Sequence, residues 1–567
     1  MQAWLRSVIT CSCVLALAGF GSAQTPPPQT VPAQQTSPPP QAPPRPQAPT
    51  PPTRADILRG ADGPYRSNND LLSYALNVRV DPERKFISGT NTIRFRMLKD
   101  DSRIQLDLFA NLNVDRIVFG STELKYERAF NAVFVDFPEV LKRGRTYEIA
   151  FSYSGNPTET GRFGGIAFKK DPSGHHWINT ACQHIGASVW WPNKDQYRDE
   201  VDEMRLSVAI PSDLADVSNG RFLGKKDLGD GYTRWDWHIH YPINSYSVSL
   251  NIGNYVHFTD SVDGLPLDFY CLPESLDKAE RQFPQAKSMI QAFQKYFGKY
   301  PFKKDGYKLI EVPYSGMEHQ SAVTYGNRFA NGYLARDWTG VGISTKFDFI
   351  IIHESAHEWF GNSVTANDVC DEWIHEAWGT YAEGVYVEHM FGKADALKYL
   401  NGYRSKVRNR EPIVPPCGVN KTPPQDMYFK GALFINTLRS VVNDDARWWK
   451  IVRAFYSRFK YKTIATADVV AFFNNKSGKD LTPLFDQYLR HTAIPVLELQ
   501  FGEADGTVSY RWKADEEAFA MPVKVGTKNN WRVIQPATEW QKLANAPTKD
   551  EFEVATDLYF IDVVRKQ

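Results

Sequence analysis

The sequence has few cysteines and almost no net charge. Its 567 residues include six cysteines and 12 histidines, and 66 basic side chains offset 65 acidic ones to leave a formal charge of +1. This balance gives no electrostatic basis for binding nucleic acid or an anionic membrane surface, so neither is predicted as a partner. After the first residues no apolar run is long enough to cross a bilayer, so no membrane span is expected.

The first 53 residues indicate export rather than a folded core. Arg6 precedes a short apolar run at 8–17, and small residues at 21–23 offer a cleavage site before Gln24. This pattern predicts a signal peptide over 1–23, with an uncleaved anchor as the alternative, and therefore a secreted protein of a bacterial periplasm. Residues 24–53 are rich in proline, glutamine and threonine, which predicts a disordered linker that acts as a tether or as a docking segment.

Cysteine usage leaves the disulfides open. Two of the six cysteines leave with the signal peptide, and the mature chain keeps Cys182, Cys271, Cys370 and Cys417. An oxidising compartment permits disulfides, but four cysteines allow three pairings and no spacing here favours one of them. They do not form the cluster of a structural zinc site.

One short segment carries the strongest functional signal. His353 and His357 stand four apart with Glu354 between them, on an apolar segment that is predicted to be a buried helix. Because a helix repeats every 3.6 residues, the two imidazoles face the same way and can hold one zinc, with Glu354 placed as a general base. Glu376, supplied by the following helix, would complete a His, His, Glu set and leave a fourth position open, as catalytic zinc sites do.

Four segments extend this signal to most of the chain. They are HESAHEWFGN at 353–362 with WIHEA at 373–377, YFGKYPF at 296–302 leading into VPYSGMEH at 312–319, YFKG at 428–431, and TACQ at 180–183 running on to WP at 191–192. In their order along the chain they resemble the aminopeptidase N and leukotriene hydrolase family of zinc gluzincins over about residues 70–500. The resemblance implies one zinc per chain and peptide substrates with a free N-terminus.

The resemblance also implies roles for the remaining site residues. Glu318, with Gly316 and Met317, lies in the family's exopeptidase motif, whose glutamate binds the α-ammonium of the substrate; Gln183 is expected to add a second contact to that amine. Tyr428 aligns with the tyrosine that donates a hydrogen bond to the developing oxyanion. Glu383, two turns after Glu376, is a candidate partner for one of the histidines or a residue of a solvated face.

The chain departs from the family pattern in four places. Ser315 replaces the first glycine of the exopeptidase motif, and His319 and His375 stand where asparagine is usual. His319 could add positive charge at lower pH and weaken ammonium binding. The 77 residues from His491 to Gln567 have the alternation of strands, so we expect a short member without the large helical C-terminal domain of fuller relatives. We therefore expect a more open site, unless a second subunit covers it.

Periodicity gives the fold class and the domains. Alternating apolar residues predict an N-terminal antiparallel β domain over 54–257, helical spacing predicts an α-rich domain over 258–490, and strands return in a small β-sandwich over 491–567. The family resemblance implies that the α-rich domain is a thermolysin-like zinc catalytic domain. The result is a multidomain α+β protein. With 42% apolar and 23% charged residues, the composition is that of a globular protein.

The sequence therefore predicts a secreted zinc aminopeptidase. An open-cleft zinc endopeptidase and a peptide-binding homologue without turnover are the alternatives. The preferred first residue, the physiological substrate and the oligomeric state stay open.

Overall fold

A computed structural model describes residues 51–160, 164–502, 506–528 and 530–566. The predicted signal peptide and nearly all of the predicted linker lie outside these residues. From Pro52 onward the chain forms one compact unit. No helix in the described ranges is both long and apolar enough to cross a membrane.

The N-terminal part is built almost wholly of strands. After a short helix α1 (Arg54–Gly60), the strands are β1 (Asn69–Asp81), β2 (Phe86–Met97), β3 (Asp101–Asp107), β4 (Leu112–Phe119), β5 (Thr122–Glu123), β6 (Lys125–Ala129), β7 (Ala132–Leu141), β8 (Thr146–Gly155), β9 (Gly165–Lys170), β10 (His176–Ala181), β11 (Glu203–Pro211), β12 (Ala215–Asp216), β13 (Arg221–Asp227), β14 (Tyr232–Ile239) and β15 (Asn251–Gly253).

These strands form three sheets around one apolar core. The largest has the order β13-β14-β11-β1-β2-β8-β4-β5, and the others are β12-β15-β10-β9 and β3-β7-β6. Every pairing in them is antiparallel except that of β1 with β11, which run parallel. Alternate residues of β1, such as Tyr74, Leu76 and Val78, are buried. The period-2 pattern read from the sequence therefore marks the core face, as expected for strands.

The middle part combines a small sheet with a helical body. Its elements are β16 (Val256–Val262), β17 (Leu265–Cys271), α2 (Leu276–Gln282), α3 (Gln285–Tyr296), β18 (Tyr307–Glu311), β19 (Gly316–Met317), β20 (Val323–Tyr325), α4 (Phe349–Ala356), β21 (Val364–Ala366), α5 (Trp373–Phe391), α6 (Lys393–Gly402), α7 (Asp426–Val442), α8 (Asp445–Phe459), β22 (Lys462–Ile464), α9 (Thr466–Ser477) and α10 (Thr482–Arg490). The sheet order is β16-β17-β18-β20-β19, a sheet that the helical periodicity of this segment did not reveal.

The last part consists of strands, as predicted. They are β23 (Val496–Phe501), β24 (Val508–Lys513), β25 (Val523–Thr527), β26 (Asn530–Ile534), β27 (Gln541–Leu543), β28 (Glu553–Val554) and β29 (Asp562–Lys566), in two sheets of order β27-β24-β23-β29 and β26-β25-β28. The predicted α+β class with its β, α-rich and β parts is confirmed. The domain boundaries stay predictions, and that at 257/258 falls inside β16.

One disulfide joins the two segments that precede helices α5 and α7. Cys370 pairs with Cys417 across 47 residues, while Cys182 and Cys271 are buried free thiols. Cys370 lies in a one-turn 3-10 helix (Val369–Asp371) just before α5. The bond therefore ties the start of α5 to the irregular segment that precedes α7.

We expect loss of this disulfide to destabilise the protein. Closing a loop of 47 residues restricts the unfolded chain, so the Cys370→Ala/Cys417→Ala variant should lose about 2–4 kcal/mol of unfolding free energy. Urea denaturation of the wild type with and without reductant, beside the double variant, measures the loss. Reductant should not change the double variant further, and a wild-type midpoint that is insensitive to reductant would contradict the expectation.

Candidate zinc site and substrate cavity

His353 lies on the buried helix α4 and His357 directly after it, and the side chain of Asp348 caps the start of this helix. Asp348 caps α4, and its carboxylate accepts hydrogen bonds from the backbone nitrogens of Ile350 at 3.1 Å and Ile351 at 3.3 Å. The helix ends at Ala356, but His357 keeps helical backbone angles of φ −64° and ψ −19°. The four-residue spacing of His353 and His357 therefore still places both rings on one face.

Glu376 comes to these rings from α5. Its Oε2 lies 3.7 Å from His353 Nε2 and 3.4 Å from His357 Nε2. His357 Nε2 and Glu376 Oε2 are both buried without a hydrogen-bond partner among the described residues. Two orphaned polar atoms so close together, with the second imidazole beside them, fit a shared cation, and imidazole and carboxylate are ligands that suit zinc.

The other ring nitrogens of the histidines are held by fixed partners. His353 Nδ1 is 2.7 Å from Glu383 Oε1, and His357 Nδ1 is 3.0 Å from the Phe360 carbonyl oxygen. These contacts leave each Nε2 as the atom that can bind a metal. Glu383 also accepts hydrogen bonds from the hydroxyls of Tyr399 and Tyr403, so it is buried in the interior and not on a solvated face.

Two glycines allow the surrounding elements to approach α4. A Cβ at Gly379 of α5 would lie 2.8 Å from His357 Cε1, and a Cβ at Gly316 of β19 would lie 2.7 Å from Ile350 Cγ2 and 3.1 Å from Glu354 Cγ. Any larger residue would push α5 or β19 away from the face of α4 that carries the two histidines. Gly316 of the exopeptidase motif therefore serves close packing against the helix that carries Glu354.

Glu354 lies beside the two histidines. One ligand atom each of His353, Glu354 and His357 lie within 4.8 Å of one another. Glu354 is only 9% exposed, and burial, opposed by His353 and reinforced by the carboxylate of Glu318, raises its pKa to about 7. A carboxylate with such a pKa is suited to accept and return a proton near neutral pH.

The histidines are surrounded by negative charge. Burial opposes their protonation, but Glu376 and Glu383 hold the pKa of His353 well above its usual range, and Glu376 with Glu318 raises the pKa of His357 to about 9. The same histidines hold the pKa of Glu376 below its ordinary value despite burial. This charge balance favours a cation at the centre, which a divalent metal bound to neutral imidazoles would supply.

Glu318 is fixed from two sides at the end of β19. Its Oε1 accepts a hydrogen bond of 3.0 Å from the Tyr246 hydroxyl, and its carbonyl oxygen accepts one of 2.7 Å from Asn362 Nδ2. Its side chain is 2% exposed, and burial raises the pKa of its carboxyl. An ammonium ion bound here would pair with a carboxylate that is otherwise costly to keep charged. Met317, buried beside it, contributes apolar surface to a cavity that Glu318 and the two histidines also line.

Gln183 follows a strand of the N-terminal part and lines the same cavity as the two histidines. Its Nε2 donates to Glu376 Oε1 at 3.0 Å and to Glu372 Oε1 at 3.3 Å. Its carbonyl oxygen is then the atom that could accept a hydrogen bond from a substrate amine.

Glu372 was not predicted to be a site residue, although it stands four residues before Glu376. It is buried and also accepts hydrogen bonds from His184 Nε2 at 2.7 Å and the Tyr197 hydroxyl at 3.0 Å. Burial opposes protonation of His184, but Glu372 raises its pKa to about 9. Only the spacing to Glu376 could have pointed to Glu372, and nothing in the sequence singles out His184.

Tyr428 faces the metal site from the first turn of α7. Its ring centroid is 6.0 Å from that of His353. Burial and the carboxylates of Glu376, Glu372 and Glu318 hold its pKa well above the usual range, so it keeps the proton that it would donate.

The two histidines that replace asparagine are both buried. His375 Nε2 accepts a 2.7 Å hydrogen bond from the backbone nitrogen of Ala366, and its ring stacks on Tyr197. His319 is fully buried, and burial lowers its pKa to about 3. The predicted loss of ammonium binding through protonation of His319 is therefore wrong, because burial makes a charged imidazole too costly.

All predicted site residues meet in one cavity of about 530 Å³. Glu318, Gln183 and Met317 line it with the two histidines, Glu354 and Glu376, and Tyr428 closes one side. Five further lining residues are aromatic: Tyr333, Trp338, Phe349, Tyr403 and Phe429. A cavity with several convergent carboxylates attracts a cationic group, and its apolar wall can accept side chains.

Sequence comparison agrees with this arrangement. The profile of the peptidase M1 N-terminal domain matches residues 71–247, and that of the peptidase family M1 domain matches residues 281–488. The chain is 21% identical over 427 residues to "Probable aminopeptidase 2" of Sulfurisphaera tokodaii, a match that covers 69% of this chain and 54% of that protein.

Two further relatives match over shorter stretches. Aminopeptidase N of Streptomyces lividans is 28% identical over 56% of this chain and 38% of its own length. Endoplasmic reticulum aminopeptidase 1 of Homo sapiens is 24% identical over 59% of this chain and 36% of its own length. The chain thus spans about half, or less, of the length of these curated relatives.

A solved structure shares the fold. It is the crystal structure of a mutant M1 zinc metallopeptidase from Deinococcus radiodurans bound to a Tyr-Ser-Ala substrate, and it superposes with a TM-score of 0.63 at 18% identity. The superposition covers 77% of this chain and 98% of the other.

Proposed function

The chain belongs to peptidase family M1, and from this premise we propose that it is a zinc-dependent aminopeptidase that removes single residues from peptide N-termini. The observation that carries the proposal is the buried carboxylate of Glu318 in the same cavity as His353 and His357. A peptide's α-amino group has a pKa of about 8 and is mostly protonated at neutral pH. A carboxylate beside the metal site would hold that ammonium and place the first peptide bond over the metal.

One zinc ion per chain would be held by His353, His357 and Glu376. When bound, zinc supplies a Lewis acid that polarises the peptide carbonyl and acidifies water. Glu383 and the Phe360 carbonyl orient the two imidazoles for this purpose through their Nδ1 atoms.

The chain's own residues would carry the proton transfers. Glu354 takes a proton from the attacking water and later returns it to the nitrogen of the leaving amine. The Tyr428 hydroxyl donates a hydrogen bond to the former carbonyl oxygen as that oxygen gains negative charge. Glu318, with Gln183, holds the ammonium during both proton transfers, so that the first peptide bond keeps its position relative to Glu354 and Tyr428.

Export to a bacterial periplasm is part of the proposal and rests on the sequence of residues 1–23. The proposed tether of residues 24–53 would lead from the cleavage site to helix α1. A disulfide between Cys370 and Cys417 is compatible with an oxidising compartment.

We expect Glu318→Gln to lose about 10- to 100-fold in kcat/KM on substrates with a free amine, because a charge-assisted contact to the ammonium becomes a neutral one. Gln keeps the size of the side chain and an oxygen for Tyr246. The measurement uses a panel of aminoacyl-coumarin amides and their N-acetylated counterparts.

The matched control is Glu311→Gln. Glu311 is also a buried glutamate of the same sheet, but it binds the Leu272 nitrogen and the Ser275 hydroxyl. This control should cleave free-amine substrates like the wild type. Equal cleavage of acetylated substrates by the wild type would favour an open-cleft endopeptidase, and no cleavage of any peptide would favour a binding protein without turnover.

A further inference from the structure

The side-chain amide of Gln183 is held between two carboxylates. Gln183 follows strand β10 by two residues, and its Nε2 donates to Glu376 Oε1 at 3.0 Å and to Glu372 Oε1 at 3.3 Å. An amide has a donor end and an acceptor end, so a flipped amide would place its carbonyl oxygen against both carboxylates. The two contacts therefore favour the orientation in which the carbonyl oxygen is left for another donor.

Of these two carboxylates, Glu372 is the one outside the proposed zinc ligands. Glu376 would share its charge with a bound metal ion, which weakens it as an acceptor for the amide. Glu372 directly precedes α5 and stands one helical turn before Glu376, so both side chains can reach the same amide. Glu372 is therefore the acceptor whose hold on Gln183 does not depend on the metal.

Glu372 is itself fixed by two further donors. His184 Nε2 lies 2.7 Å from Glu372 Oε2, and the Tyr197 hydroxyl donates to Glu372 Oε1 at 3.0 Å. The side chain of Glu372 is fully buried, and a buried carboxylate is costly unless hydrogen bonds and an opposite charge compensate its desolvation. Together with Gln183, these donors leave the Glu372 carboxylate little freedom to turn away.

His184 reaches Glu372 from a strained turn. Its φ is +65°, a left-handed value that residues other than glycine seldom adopt. The backbone nitrogen of Gly186 donates to the Cys182 carbonyl oxygen at 2.8 Å and closes this turn. Strain of this kind persists where the surrounding structure holds it, and it is concentrated at binding and active sites. Through this turn Gln183 and His184, neighbours in the sequence, contact the same carboxylate.

The same network of side chains reaches Glu318. The ring centroids of Tyr197 and Tyr246 lie 5.2 Å apart, and the Tyr246 hydroxyl donates to Glu318 Oε1 at 3.0 Å. Tyr197 thus contacts Glu372, and its neighbour Tyr246 contacts Glu318. The two groups that are proposed to bind the ammonium, Glu318 and Gln183, are therefore held by one set of packed side chains.

We infer that Glu372 is a positioning residue for substrate binding: it holds the amide of Gln183 so that the carbonyl oxygen of Gln183 accepts a hydrogen bond from the substrate ammonium. The inference rests on the proposed aminopeptidase function. Glu372 is not among the described residues that line the cavity, so it acts through Gln183 and not on the reacting bond. Its loss should weaken substrate binding and leave the chemical step nearly unchanged.

The test is a double-mutant cycle on KM and kcat for a free-amine aminoacyl-coumarin amide. Gln183→Leu should raise KM about tenfold, since a hydrogen bond to a charged group is lost. Glu372→Leu should raise KM about three- to tenfold, because the amide can then turn. The double variant should stay near the value of Gln183→Leu, whereas two independent contacts would multiply to about 30- to 100-fold. In all three variants kcat should stay within about twofold of the wild type.

Two milder variants test the hydrogen bonds themselves. Glu372→Gln keeps an acceptor oxygen for Gln183 and should raise KM by no more than about twofold. Tyr197→Phe removes only the hydroxyl that holds Glu372 and should raise KM about threefold, an effect that disappears in the Gln183→Leu background. Tyr197→Phe takes the place of Glu372→Leu in the cycle if that variant loses its fold or its zinc.

The matched control is Asp371→Asn. Asp371 is the buried neighbour of Glu372, but its carboxylate accepts hydrogen bonds from the Thr466 backbone nitrogen at 3.0 Å and the Thr466 hydroxyl at 2.6 Å, and it is not a cavity-lining residue. This control should have the KM of the wild type. Zinc content and thermal melting are determined for every variant, so that loss of metal or of the fold is not counted as loss of substrate binding.

The two hypotheses can fail separately. A wild type that cleaves free-amine substrates, with KM unchanged in Gln183→Leu or in Glu372→Leu, would overturn the role of Glu372 and leave the aminopeptidase function standing. Effects on KM that multiply in the double variant, or a Glu372→Gln protein with KM as high as that of Glu372→Leu, would also overturn this role. A wild type that cleaves no free-amine substrate would overturn both.

Discussion

The Glu354→Gln protein is expected to lose about two to four orders of magnitude in kcat, the usual contribution of a general base. Glu354 is buried at the metal site, and burial raises its pKa to about 7, which suits a group that must both accept and return a proton. The amide of glutamine has nearly the same shape but cannot accept the proton of the attacking water. KM should change much less than kcat, because Glu318 and the metal ligands remain.

The measurement is steady-state hydrolysis of the best free-amine substrate, with zinc content and melting temperature determined on the same preparations. Glu354→Asp is the chemical control: it keeps a carboxylate that is one methylene shorter, and its activity should lie between those of the wild type and Glu354→Gln. A glutamine variant that retains zinc and stays within about tenfold of the wild-type kcat would remove Glu354 from the role of base.

Removal of the metal should abolish hydrolysis and lower the melting temperature. His357 Nε2 and Glu376 Oε2 are buried without hydrogen-bond partners among the described residues, so in the metal-free protein their desolvation is not compensated. A ligand that binds only the folded protein stabilises it by about 4 kcal/mol when its free concentration is a thousandfold above Kd. One equivalent of zinc added to chelator-treated protein should restore both activity and melting temperature.

Two histidine variants make this test specific. His357→Asn removes one proposed ligand and should show neither zinc-dependent activity nor a zinc-dependent shift in melting temperature. His257→Asn removes a histidine of β16 that binds Asp268 at 2.9 Å, away from the cavity, and should respond to zinc like the wild type. Full activity in protein shown by elemental analysis to contain no metal would refute the proposed zinc site.

The parts of the site that could be predicted are those set by local geometry or by the family's motifs. The His353 and His357 spacing follows from the helical repeat, and that repeat survives although α4 ends at Ala356. The family resemblance, which the two matching profiles confirm, placed Glu318 and Tyr428 near the metal ligands. Both line the same cavity, while their catalytic roles stay predictions until the variants are measured.

Other features could not be predicted because their partners are far apart in the sequence. The contacts of Glu372 with His184 and Tyr197 join residues 188 and 175 positions apart, and Tyr246 reaches Glu318 across 72 positions. No local pattern encodes such contacts. The expected pH effect of His319 failed for a related reason, since its pKa depends on a burial that the motif does not reveal.

By itself the sequence determined the order of β, α-rich and β parts, the family and the residues that form the proposed zinc site, because strand alternation, helix periodicity and short motifs are local properties of the chain. Only the tertiary structure decided which cysteines pair and which carboxylates orient Gln183 and His353. These features depend on how distant segments pack, and packing is fixed by the whole core rather than by any one stretch of sequence.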